Sequence, residues 1–116
     1  MKFRIMKNIL LITIIIPLII FSQNYNGPES IEYNLMDNSY FISNSSSGEI
    51  LKLENGNLSL FANNLTSGPH GLEMGPGWNS NQAWGEGILY ACSGGKIYGY
   101  NMLGEQVLDY NLDGNF

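Results

Sequence analysis

Cationic side chains are scarce in this chain beyond its first residues. Of its five lysines and arginines, Lys2, Arg4 and Lys7 stand at the N-terminus, and only Lys52 and Lys96 follow. All ten acidic residues lie after residue 22, so without residues 1–22 ten carboxylates oppose two ammonium groups and the net charge is near −8. An acidic surface repels phosphate backbones and anionic headgroups. The composition therefore argues against nucleic acid and anionic membranes as partners.

Cysteine occurs once, at Cys92, so the chain has no intrachain disulfide. Cys92 ends the apolar run 88–92, where it could be a small buried strand residue or a nucleophile. An isolated cysteine usually behaves as a small hydrophobe, which favours the buried strand residue.

The long apolar stretch at the N-terminus is too short for a typical membrane span. Residues 9–21 are apolar apart from Thr13 and Pro17, follow a basic segment and precede Ser22-Gln23. This order predicts a secretory signal peptide over residues 1–22, here taken as helical, with secretion or a periplasmic location. The alternative is a retained membrane anchor, but a span needs about 20 apolar residues. We expect no membrane association after cleavage.

A sustained helical period of apolar residues is also missing after residue 22, and short apolar runs bounded by turn residues take its place. These runs predict two sets of four strands, and Asn55-Gly56 is a strong hairpin signal. The first set is 29–33, 40–43, 49–53 and 58–62, and the second is 69–74, 88–92, 96–100 and 106–112. Segment 75–87, with Trp78 and Trp84, is interpreted as an enlarged loop that opens at the end opposite Glu29 and His70, the two candidate site residues.

One short phrase occurs twice, at 27–32 and 68–73, as Gly-Pro, two variable residues, an aliphatic residue and Glu. A period of about 40 to 45 residues is typical of propeller blades. The repeat predicts an all-β fold in which residues 23–116 form the first two four-stranded antiparallel blades of a β-propeller. It aligns Glu29 with His70. Glu32 and Glu73 also occupy equivalent positions in the two units, and we interpret them as structural residues without a chemical role.

Two blades are too few to close a propeller ring, which takes about four to eight. We therefore expect the missing blades to be required for closure, and the chain to be an N-terminal fragment of a longer protein. A complete small β domain is the alternative, because a chain of this length can bury a core.

The residues of the first unit resemble a known family. Segments 27–33, 40–44 and 48–53 resemble the first blade of the gluconolactonase (senescence marker protein) family, and 68–72 resembles the Pro-His-Gly stretch of related paraoxonase-like enzymes. The resemblance implies a six-bladed propeller with a divalent cation, commonly calcium, in its channel. It implies that Glu29 is a metal ligand and that His70 is catalytic. The family's other ligands, an Asn and an Asp, would fall beyond Phe116.

These residues predict hydrolysis of a small-molecule lactone or ester. A carboxylate can bind a hard cation, and an imidazole can act as a general base near neutral pH. We expect the parent protein to be a secreted, metal-dependent hydrolase and the isolated two-blade chain to be inactive. The alternative is a secreted, non-catalytic propeller of the NHL type that binds a partner or ligand.

Overall fold

The computed structural model describes residues 23–78 and 84–113, which form two four-stranded antiparallel sheets. Within each sheet the strands pair in sequence order. Sheet 1 contains β1 (Pro28–Asn34), β2 (Ser39–Asn44), β3 (Glu49–Glu54) and β4 (Asn57–Ala62). Sheet 2 contains β5 (Gly71–Trp78), β6 (Trp84–Ser93), β7 (Lys96–Tyr100) and β8 (Gln106–Asn111). The all-β prediction is confirmed, and each predicted strand has a counterpart.

The predicted signal peptide, residues 1–22, lies outside the described residues. Within the described ranges, no helix is long and apolar enough to cross a membrane. The predicted hairpin at Asn55-Gly56 joins β3 to β4, and both residues have positive φ, 51° and 75°. Positive φ at both central positions is what a type I′ turn requires, and Asn and Gly tolerate it best.

The hairpin between β5 and β6 is longer than the sequence predicts. Strand pairing continues through Pro76↔Gly87 to Trp78↔Trp84, so most of segment 75–87 extends the two strands. The predicted loop was therefore wrong for these residues, because a paired partner strand offsets the turn preference of Gly and Pro. Residues 79–83, also part of the predicted loop, lie outside the described residues.

The core lies between the two sheets. Phe41 and Ile50 of sheet 1 and Leu89 and Ala91 of sheet 2 are fully buried in one cluster. Successive side chains of a strand point to opposite faces of its sheet. Cys92, next to Ala91, therefore lies on the opposite face of sheet 2 and is exposed. The expected burial of Cys92 was wrong, although its place in a strand is confirmed.

The edge strands β1 and β5 lie side by side. Their contacts join residue 29 to 70, 30 to 72 and 32 to 74, so the two strands run in the same direction. The amide of Leu72 donates to Ser30 Oγ at 3.1 Å, and the amide of Met74 donates to Glu32 Oε1 at 3.1 Å. An edge strand has backbone N–H groups with no neighbouring strand to accept them. Ser30 and Glu32 supply these acceptors from the adjacent sheet and so set the alignment of β5 on β1.

We predict that Glu32→Ala destabilises the fold by about 1–3 kcal/mol, because it leaves the Met74 amide without its acceptor. Glu32→Gln keeps a side-chain carbonyl at this position and should lose less. Chemical denaturation of the two variants and wild type measures the difference. Equal stability of Glu32→Ala and wild type would contradict the role given to this carboxylate.

Candidate functional site

Glu29 and His70 meet where β1 and β5 begin. His70 Nδ1 lies 2.5 Å from Glu29 Oε2, although the residues are 41 positions apart and belong to different sheets. Their side chains are 58% and 47% exposed, for His70 and Glu29 respectively. The structure thus brings together the two residues that the repeat had aligned. The pair is a hydrogen-bonded carboxylate and imidazole open to solvent.

A bulge at the start of β1 carries Glu29. The register of β1 on β2 shifts between Pro28 and Ile31, so the amides of Glu29 and Ser30 lack regular ladder partners. The buried Ser43 hydroxyl on β2 accepts both, at 3.4 Å from Glu29 and 2.7 Å from Ser30. Bulges re-aim side chains, and this one is supported from beneath by Ser43.

A backbone hydrogen bond positions His70, and the neighbouring Gly68 leaves room for its ring. Its amide donates to the Cys92 carbonyl at 3.0 Å. Gly68 has a φ of 120°, and a Cβ there would lie 2.9 Å from the backbone nitrogen of His70 and 3.3 Å from its Nε2. Only glycine adopts this backbone conformation easily and leaves the imidazole its space.

The contact with Glu29 defines the roles of the two imidazole nitrogens. A carboxylate only accepts hydrogen bonds, so Nδ1 carries the proton and donates to Glu29 Oε2. In the neutral ring Nε2 is then an acceptor. A carboxylate that fixes the tautomer while the other nitrogen remains basic is the arrangement of a general base.

The predicted calcium site is not assembled by the described residues. Calcium takes six to eight oxygen ligands, whereas this site brings one carboxylate next to an imidazole. Within residues 23–78 and 84–113 there is no group of three or more His, Cys, Asp or Glu side chains suited to a metal ion. Glu29 and His70 therefore do not form a calcium site by themselves.

The turn between β2 and β3 closes the same end of sheet 1. The Asn44 side chain is fully buried, accepts from the Asn26 amide at 3.0 Å and donates to the Asn24 carbonyl at 2.9 Å. The Ser45 amide donates to the Gly27 carbonyl at 3.0 Å. These bonds tie the segment before β1 to the turn and fix the position from which Glu29 projects.

Sequence reasoning missed Ser43 and Gly68 as supports of the site. A polar residue at a core-facing position of β2 was a usable signal for Ser43. Trp78 and Trp84 lie at the far end of the β5–β6 hairpin, and the structure does not bring them to Glu29 or His70.

We predict that Gly68→Ala costs about 1–3 kcal/mol of stability, because alanine is strained at this φ and its methyl group would press on His70. Gly71→Ala is the matched control, since a Cβ there meets no atom within 4 Å. Thermal unfolding and the chemical shifts of the His70 ring report stability and ring position. Equal effects of the two variants would contradict the packing described for Gly68.

Comparison with known proteins does not assign this chain to a family. No family model, no curated protein and no solved structure matches the chain. The family resemblance therefore depends on the motifs quoted above.

Proposed function

We propose that the two sheets are neighbouring blades of a β-propeller, and that the Glu29–His70 pair hydrolyses a lactone or ester at the mouth of its channel. The protein would be exported and active with its ring closed. The observation that carries the proposal is the 2.5 Å contact between His70 Nδ1 and Glu29 Oε2 across two sheets.

The strand order supports the propeller assignment. Each sheet is a four-stranded meander, and the first strands of the two sheets pack against each other. Four antiparallel strands per unit, arranged around a central channel, describe a propeller blade. With β1 and β5 as innermost strands, their N-terminal ends with Glu29 and His70 would open on the channel.

The proposed chemistry is general-base hydrolysis. His70 Nε2 takes a proton from a water molecule as that water attacks the carbonyl carbon of the substrate. Glu29 accepts the hydrogen bond from Nδ1–H and stabilises the imidazolium that forms. The imidazolium then returns the proton to the departing alkoxide, so the products are an acid and an alcohol, or one hydroxy acid from a lactone.

We predict that His70→Ala lowers kcat/KM for hydrolysis by about 10²–10⁴-fold, the usual contribution of a general base. The assay uses the native protein with an aryl acetate and a five-membered lactone as probes. Glu29→Gln should give a smaller loss, because it keeps an acceptor but removes the charge. Glu105→Gln, a carboxylate change in the turn before β8, is the control and should leave the rate unchanged.

Hydrolysis of neither probe, or equal rates for wild type and His70→Ala, would contradict the hydrolase proposal. The non-catalytic, partner-binding propeller would then be the better interpretation.

Calcium binding by Glu29 is a prediction that comes from the family resemblance, and a separate experiment tests it. A cation bound partly by Glu29 predicts that EDTA lowers the hydrolysis rate and that added calcium restores it. Glu29→Gln should then be insensitive to EDTA. Full activity of wild type in EDTA would exclude a metal requirement, and the carboxylate–imidazole pair would then be the whole site.

A further inference from the structure

Within residues 23–78 and 84–113, no segment covers the apolar face of sheet 2 on the side away from sheet 1. An open groove of about 470 Å³ runs along it. Tyr110 and Leu108 of β8 are exposed there, next to Cys92. Tyr90 and Ile97 also line this groove.

This free face repeats the face that sheet 1 uses to pack against sheet 2. Glu32 pairs with Phe41, and Glu73 pairs with Tyr90, so these residues hold matching register positions. By the same pairings Ile97 and Tyr110 match Ile50 and Ala62. The free face thus offers an acidic residue on its edge strand and apolar residues behind it, as the buried face of sheet 1 does.

The outer face of sheet 1 repeats the other half of the contact. Tyr33 of β1 matches Met74 of β5, and Tyr40 of β2 matches Leu89 of β6. Three further apolar positions match in the same way: Ile31 with Leu72, Ile42 with Ala91, and Leu51 with Tyr98. Ile31, Tyr33 and Tyr40 are exposed, and this face has an open groove of about 380 Å³. Each chain therefore carries both halves of the contact that joins its own sheets.

We infer that the free face of sheet 2 binds the outer face of sheet 1 from a second copy of this chain. The contact has the register of the internal one, with Glu73 accepting the amide of Tyr33 as Glu32 accepts that of Met74. Such a contact joins two different surfaces, so successive copies add head to tail and close into a ring when the rotation allows. Three copies supply six blades, within the range of about four to eight at which propellers close.

The same contact would extend the candidate site. Glu29 of the second copy would lie beside His70 of the first, on the side opposite the Glu29 of its own chain. Carboxylates and imidazoles would then alternate around the mouth of the channel, so each copy contributes to its neighbour's site. The inference depends on the register of the sheets and not on hydrolysis.

The test is the mass of the native protein in solution, measured by light scattering over a concentration series. We expect wild type to exceed the monomer mass and Tyr110→Asp to be a monomer. Val107→Asp is the matched control: it lies on the same strand, in the bulge between Gln106 and Leu108, it does not line the groove, and it is 55% exposed where Tyr110 is 58% exposed. It should assemble as wild type does. Association through residues 1–22 would be common to all variants and would not separate these two.

A mixing experiment tests whether the contact is head to tail. Tyr33→Asp damages only the outer face of sheet 1, and Tyr110→Asp damages only the free face of sheet 2. Each variant alone should be a monomer, whereas an equal mixture should form a one-to-one dimer through the two intact faces. Glu73→Ala should weaken assembly by about tenfold, the usual worth of one hydrogen bond to a charged acceptor.

A monomeric wild type at all concentrations would overturn the inference and would leave the free face to a blade from a longer chain. Tyr110→Asp with the mass of wild type, or a mixture that stays monomeric, would also overturn it. Circular dichroism confirms that each variant is folded; if Tyr110→Asp unfolds, the masses of Glu73→Ala and wild type decide the question.

Discussion

The alignment of β1 with β5 is the constraint on which the rest of the structure depends. Both are edge strands, and the unpaired amides of β5 find their acceptors in Ser30 and Glu32 of the neighbouring sheet. Apolar burial holds the sheets together but is insensitive to a slip along the strands. The two hydrogen bonds are directional, so they select one register from those that burial alone would allow.

The candidate site is a direct consequence of that register. One step before the Ser30 contact, the same alignment brings Glu29 of the bulge against His70. Ser43 supports the bulge from below, and Gly68 leaves the imidazole its space. Neither sheet contains the pair by itself, so the chemistry proposed for it exists only where two units are stacked. Stacking further units in the same way would generate the same neighbours again.

The repeated phrase was enough to predict that Glu29 and His70 are neighbours, because equivalent positions of stacked units lie side by side. Strand alternation was enough for the two sheets. The support from Ser43 could not be predicted, since its partners are bulge amides that only strand pairing brings to it. Residues 75–78 and 84–87 were misjudged because Gly and Pro favour turns until a partner strand pairs with them. The exposure of Cys92 depends on which face of sheet 2 has a neighbour, and local sequence does not specify this.

His70 is the only histidine in the chain, so its imidazole nitrogens can be observed without assignment. Nitrogen-15 NMR of the neutral ring tests the account most directly, because the chemical shifts show which nitrogen carries the proton. The account predicts a protonated Nδ1 in wild type, coupled to Glu29, and loss of this tautomer preference in Glu29→Ala. A ring protonated at Nε2 in wild type, or the same spectrum in both proteins, would contradict the contact between β1 and β5 on which the site depends.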